Sequence, residues 1–194
     1  MGKSIVVLNG HPHRDKSHLC CALAEAYASG AKKAGHKVKT ISIAEMDIPF
    51  LRDPEDMKSA PPKPVADAQK AVKAADHVVI VYPLWCGTMP ALVKAFFEQL
   101  CRNSFAIVEN PKGGWPQQML KGKSARAIVT MGMPAAAYRL FFGAHGVKSL
   151  DVGILGMAGF KPVKDTLIGG ADGITPKQAA RLFERMRALG EKAA

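Results

Sequence analysis

The chain contains no C-x-x-C pair. Its four cysteines are Cys20, Cys21, Cys86 and Cys101, and the adjacent Cys20 and Cys21 fall in a stretch that reads as helix, with no histidine at ligand spacing. That pattern argues against a thiolate metal cluster and for free thiols in a reducing compartment. No apolar run approaches the roughly 20 residues that a helix needs to cross a bilayer. The opening residues pass directly into a strand with no signal-peptide pattern. A soluble cytoplasmic protein is expected, with no membrane insertion and with peripheral docking left open. No repeat, low-complexity tract or linker divides residues 1–194, so a single domain with one substantial core is expected. Two nucleotide-binding fingerprints, GxGxxG and the P-loop, are also missing.

Acidic residues are scarce, and unevenly so. Lys and Arg outnumber Asp and Glu by 14 to 11 over residues 1–110 and by 13 to 5 over residues 111–194, so the second part carries most of the net charge of +11. A basic field of this kind attracts nucleic acid, an anionic membrane or a phosphorylated cofactor such as NADPH. The basic residues are dispersed and accompany no recognition motif, so nucleic acid is not expected. Most of them read as solvated surface.

What the chain does have is an alternation of strands and helices. Residues 4–9 form an apolar strand, and residues 10–16 a polar loop. A helix capped by Ser17 runs to about residue 34 and stops at Gly35. Residues 38–43 alternate as a second strand, 46–64 form a long loop, and 65–75 a second helix. The β-branched run 77–81 is a strand covered on both faces. A third helix opens with Pro90 at its first position and ends near residue 103. Residues 104–122 read as a long loop, 125–130 as a fourth strand, and 149–158 as the resumption of a broken helix. A fifth strand spans 162–168. Thr175 and Pro176 then start a last amphipathic helix that ends near Gly190. This order demands right-handed crossovers and a parallel sheet between two helical layers. The expected fold is therefore α/β, a flavodoxin-like three-layer sandwich with a five-stranded parallel sheet in the order 2-1-3-4-5. In that order the loops after strands one, three and four converge on one ligand site.

Those three loops have unusual chemistry. The first, residues 10–18, contains His11, Pro12, His13, Ser17 and His18 and leads to Leu19 at a helix amino terminus. Exposed N–H groups and the positive end of a helix dipole favour a phosphate there, and the alternative is an ordinary capped helix with surface histidines. The second is Pro83-Leu84-Trp85-Cys86-Gly87, a rigid apolar loop that suits a flat heteroaromatic ring. The third, Thr130-Met131-Gly132-Met133-Pro134, leads to Tyr138 and to His145-Gly146. A Tyr hydroxyl and an imidazole are donors of the type that stabilise negative charge on a reduced flavin, and either also serves as a structural hydrogen-bonding residue.

With these segments the chain resembles the flavodoxin-like NAD(P)H:quinone oxidoreductase family. That family includes the mammalian quinone reductases and the ancillary reductases of bacterial potassium-efflux systems. The resemblance rests on His11-Pro12 through Ser17-His18, on Pro83-Leu84-Trp85 through Pro90-Ala91-Leu92-Val93-Lys94, and on Thr130 to Gly132 with Tyr138 and His145-Gly146 beyond. It implies a homodimer that binds FMN, with FAD as the alternative, and passes two electrons from NAD(P)H to quinone-like acceptors by a ping-pong mechanism. It also implies that His11, Ser17, His18 and Leu19 approach the flavin phosphate and that Pro83, Leu84, Trp85, Cys86 and Gly87 line the ring. Thr130, Met131, Gly132 and Met133 would then reach its pyrimidine side, with Tyr138 and His145 as charge-stabilising donors. Azo and nitroaromatic reduction share such an acceptor pocket. A flavin-binding regulatory subunit of a membrane transporter is the other alternative. The chain departs from the family pattern in three places: Leu19 and Cys20 stand where an Asn is common, Met131 and Met133 replace Thr and Gly, and Tyr138 and His145 are seven residues apart where six is usual.

Overall fold

The computed structural model of the protein describes residues 2–194. In chain order the strands are β1 (Ser4–Asn9), β2 (Lys37–Ser42), β3 (His77–Pro83), the two-residue strands β4 (Ile107–Val108) and β5 (Gln117–Gln118), β6 (Ser124–Thr130) and β7 (Val163–Ile168). Five of them form one parallel sheet in the order β2-β1-β3-β6-β7, which is the expected 2-1-3-4-5 arrangement once the short strands are set aside. The helices are α1 (Leu19–Lys33), α2 (Lys63–Ala74), α3 (Ala91–Leu100), α4 (Ala135–Phe141), the short α5 (His145–Lys148) and α6 (Pro176–Glu191).

The layers follow from the period of two along each strand. Val79 and Val81 of β3 join Ile5 and Val7 of β1 in a core closed by Leu23 and Tyr27 of α1 and Met186 of α6. Their neighbours Val78, Ile80 and Tyr82 point the other way, into a core with Val65 and Val72 of α2 and Phe96 and Leu100 of α3. Every residue of β3 is buried, as a central strand between two helical layers must be. Glycines set the spacing of the first layer. A Cβ on Gly30 would overlap the Arg187 carbonyl, and one on Gly190 the Tyr27 carbonyl, so α1 and α6 approach with their backbones almost in contact.

Several expected boundaries move. Ser17 does not cap α1. His18 is the N-cap residue and makes no side-chain capping bond, because both the amide and the hydroxyl of Ser17 donate to the Asp15 carboxylate, each at 2.9 Å. Pro90 is the residue before α3 rather than its first turn, with an extended ψ of 148°. Ile43 leaves β2 for a 3-10 turn. The expected loop 104–122 contains the antiparallel β4–β5 hairpin, and residues Ser149–Gly156 are a π-helix rather than an α-helix. The start of α6 is as expected: Thr175 and Gln178 form a reciprocal capping box with Pro176 in the first turn. The long loop 46–64 is pinned by two buried polar side chains of the α3 end. Gln99 donates to the Pro49 carbonyl at 2.8 Å and Arg102 to the Asp56 carbonyl at 2.7 Å.

Candidate functional site

The loops that follow β1, β3 and β6 meet at the carboxyl edge of the sheet, and hydrogen bonds tie each to the others. The Gly10 amide donates to the Val81 carbonyl at 2.7 Å, which anchors the first loop over β3. A side chain on Gly10 would press on Tyr82 Cβ and Val93 Cγ2, each at 3.1 Å. The Leu84 amide donates to the Thr130 carbonyl at 2.7 Å, joining the second loop to the third. Cys20 of α1 and Thr130 share a side-chain hydrogen bond of 3.2 Å, joining the third loop to the first.

The first loop is built around imidazoles. His11 is only 8% exposed, and its ring stacks on that of His18 with centroids 3.8 Å apart. Burial, then the neighbouring His18, lowers its pKa below the usual imidazole value, so the ring is neutral at physiological pH. The His13 amide donates to His11 Nδ1 at 3.2 Å, which fixes the proton of neutral His11 on Nε2. The loop thus presents a ring N–H donor beside a helix whose amino terminus has neither a side-chain cap nor an acidic residue in its first turn. An uncapped helix start leaves its first N–H groups free for an anion.

The second loop is a two-residue reverse turn. Trp85 and Thr88 exchange backbone hydrogen bonds of 2.9 and 3.0 Å. Between them Cys86 and Gly87 both have positive φ, 49° and 78°, the geometry of a type I′ turn. The turn holds Trp85 48% exposed, its ring nearly perpendicular to that of His11 at a centroid distance of 6.2 Å. Cys86 is exposed beside it.

The turn is braced from below. Tyr138 is fully buried, and its hydroxyl donates to the Gly87 carbonyl at 2.9 Å. Gly146 packs against the same turn so closely that a Cβ would overlap the Gly87 oxygen and lie 2.6 Å from Thr88 Cα. Tyr138 therefore has its proton committed to the turn, while His145, at the start of α5, is exposed and its ring makes no hydrogen bond among the described residues.

Of the residues singled out from sequence, Ser17, His18, Leu19, Leu84, Trp85, Cys86, Gly87, Gly132, Met133 and His145 retain accessible surface around this edge. His11, Pro83, Thr130, Met131 and Tyr138 are buried beneath it. The Thr130 hydroxyl faces Cys20, and burial pushes that thiol up to about 12, so Cys20 is a packed neutral group. Asp15 lies in the first loop with no role assigned from sequence, although an Asp two residues before a Ser is a turn signal. Gly146 is part of the third segment, but nothing local to it indicates that it packs against the turn at Gly87.

These features define an α/β protein whose three loops converge at the topological switch point of a parallel sheet, the place where such sheets take their ligands. A family model for the flavodoxin-like fold matches residues 3–191, and the chain belongs to that family. It is 24% identical over 188 residues to an uncharacterized NAD(P)H oxidoreductase of Haemophilus influenzae, a match covering 92% of this chain and 90% of the other. It is 32% identical over 93 residues to FMN-dependent NADH:quinone oxidoreductase 1 of Hahella chejuensis, covering 47% of this chain and 42% of the other. Among solved structures, the NAD(P)H:quinone oxidoreductase of Methanothermobacter marburgensis superposes over the whole of both chains with a TM-score of 0.84 at 19% identity.

Proposed function

We propose that the chain is a single flavin-binding domain that transfers two electrons from NAD(P)H to quinone-like acceptors. The observation that carries this reading is the three-loop edge itself, where an uncapped helix start and a neutral His11 N–H donor stand on one side of a half-exposed Trp85 held on a braced turn. The donor set fits a flavin phosphate, and the apolar second loop fits a flat ring. The names of the relatives from Haemophilus influenzae and Hahella chejuensis support the same chemistry and favour FMN.

In this reading His11 and the first amides of α1 hold the phosphate, while Ser17, whose amide and hydroxyl donate to Asp15, and His18, stacked on His11, shape the loop around it. Leu84, Trp85, Cys86 and Gly87 form the wall for the ring, and Gly132 and Met133 approach its polar edge. The isoalloxazine, when bound, supplies two-electron storage between a reduced nicotinamide and a quinone. The chain supplies alignment and water exclusion. His145 is the donor free to face developing negative charge, and Tyr138 acts on the site by holding the Gly87 carbonyl. Buried Pro83, Thr130 and Met131 support the loops from within.

The purified protein is expected to be yellow and to release FMN identified by mass, and the stripped protein to take up one FMN per chain with quenching of its fluorescence. A colourless protein that takes up neither FMN nor FAD refutes the proposal. Activity is measured as NADH or NADPH oxidation with a benzoquinone as acceptor.

We infer a homodimer from the surface next to this edge. Leu140 and Phe141, at the end of α4, are 79% and 83% exposed, and Phe142 follows at 50%. Three consecutive exposed apolar side chains of this size mark an association surface. Light scattering is expected to give twice the chain mass of 20.7 kDa, and Phe141→Asp to give the monomer. A monomeric wild type at micromolar concentration contradicts this inference. No helix of the described residues is long and apolar enough to cross a membrane, and the four cysteines are unpaired. Both facts support a cytoplasmic place of action.

A further inference from the structure

We propose that His13, Asp15 and His18 form a binding site for a divalent transition metal on the loop between β1 and α1. One ligand atom from each of the three lies within 4.8 Å of the others. Nδ1 of His13 and Nε2 of His18 face one another at 3.0 Å, with the two rings nearly perpendicular at 79°. Two imidazoles bound to one zinc-like ion at ~2.0–2.1 Å hold their nitrogens ~3.3 Å apart at a tetrahedral angle. Exchanging the proton that these rings share for a metal ion therefore lengthens the N···N separation by only a few tenths of an ångström, with each ring turning so that its lone pair meets the ion.

The surroundings hold the three ligands as an outer shell does. Ser17 donates to both oxygens of the Asp15 carboxylate, leaving lone pairs on each for an ion. The His18 ring is stacked on buried His11 at 3.8 Å, and the His13 amide is bound to His11 Nδ1 at 3.2 Å. Such supporting bonds orient ligands and are worth about 10–100-fold in metal affinity. All three ligands are at least partly accessible, so an ion reaches them from solvent.

The donor set selects the ion. Two imidazoles and one carboxylate suit zinc, cobalt, nickel or ferrous iron, whereas magnesium and calcium prefer oxygen alone. The nearby thiols are committed elsewhere: Cys20 bonds to Thr130, and Cys21 accepts from Asn9 at 3.1 Å. Three protein ligands leave at least one coordination position open.

The test is calorimetric titration of the full chain with Zn²⁺ after dialysis against chelator, both as purified and after removal of any flavin, with Co²⁺ absorption in parallel. One Zn²⁺ per chain is expected, weakened about 100-fold in His13→Ala and in Asp15→Ala and about tenfold in Ser17→Ala. Co²⁺ is expected to give d–d bands without thiolate charge transfer. Circular dichroism matching wild type separates loss of a ligand from loss of fold, and Ser17→Ala, which removes no ligand, gives a second readout. An absence of binding overturns the proposal. So does binding that all three variants leave intact, or a thiolate band placing the metal on cysteine. Metal binding by a chain that takes up no FMN leaves this site standing and removes the flavin reading, so the two fail separately.

Discussion

At pH 7 Asp151→Asn is expected to be about 2 kcal/mol more stable than wild type, and by pH 4 that advantage disappears. Partly buried Asp151 produces this difference, and buried His77, whose effect has the opposite sign and is common to both proteins, sets the background against which it appears. His77 lies at the amino end of β3, with Nδ1 bonded to Ser124 Oγ at 2.8 Å and Nε2 without a partner among the described residues. Burial, then the charges of Lys3, Arg126 and Lys164, lowers its pKa from 6.5 to about 4. Between those values the unfolded chain binds a proton that the native protein refuses, so stability falls as pH falls, by about 3 kcal/mol.

Asp151 lies in the π-helix with Oδ1 unpartnered among the described residues. Burial, then repulsion from Asp165, raises its pKa from 3.8 to about 6. Here the native protein binds the proton first, so stability rises as pH falls, by about 2 kcal/mol once partial exposure is allowed for. Wild type therefore loses only about 1 kcal/mol from this pair between pH 7 and pH 4, while Asp151→Asn, relieved of its buried charge from the start, loses about 3 kcal/mol. Urea unfolding of both proteins at several pH values checks it. Other carboxylates titrate in both, so the difference between the two curves is the readout, and parallel curves refute the assignment.

Neither group announced itself in the sequence, and the reason is physical. The alternation of β-branched runs with helical stretches is a local pattern, and a parallel sheet between two helical layers is nearly the only way to bury it. The strand order and the convergence of three loops were therefore readable. His77, by contrast, stands at the edge of an apolar run with nothing local to say that its ring is buried, bonded to Ser124 of β6 and stacked near Tyr27 of α1. The π-helix over Ser149–Gly156 has the same composition as an ordinary helix, and only its tertiary surroundings distinguish it.

The candidate site was legible to the level of segments and less so to the level of side chains. Trp85 was found because a Pro-containing aromatic loop between a buried strand and a helix is hard to explain by packing. The sequence points to Ser17 as the helix cap because Ser caps helices well, but Asp15 captures it through a competing local turn. The sequence leaves Tyr138 open between a donor facing a ligand and a structural hydrogen-bonding residue. A hydroxyl can satisfy either role, and which carbonyl it reaches depends on a turn 51 residues away.

That same turn carries the largest functional effect. Gly146→Ala is expected to lower quinone reduction about 100-fold while leaving the protein folded. The added methyl would overlap the Gly87 oxygen and sit 2.6 Å from Thr88 Cα and 2.9 Å from the Tyr138 hydroxyl, where ordinary contacts are about 3.5–4.0 Å. Backbone lies on two of those sides, so the turn must yield by about 1 Å, carrying Trp85 and Cys86 with it. A misplacement of that size at a site that works by alignment is worth about 100-fold in rate. Tyr138→Phe provides the gentler companion, since it removes the bond to the Gly87 carbonyl without adding volume and is expected to weaken FMN binding in the same direction but less. Steady-state rates and FMN titrations of both variants, with melting curves to establish that each is folded, decide the matter. A Gly146→Ala protein with wild-type turnover would show that the brace under the turn does not govern the site, and the wall formed by Leu84, Trp85 and Cys86 would then have to be held by the Trp85–Thr88 backbone pair and the hydrogen bond between the Leu84 amide and the Thr130 carbonyl.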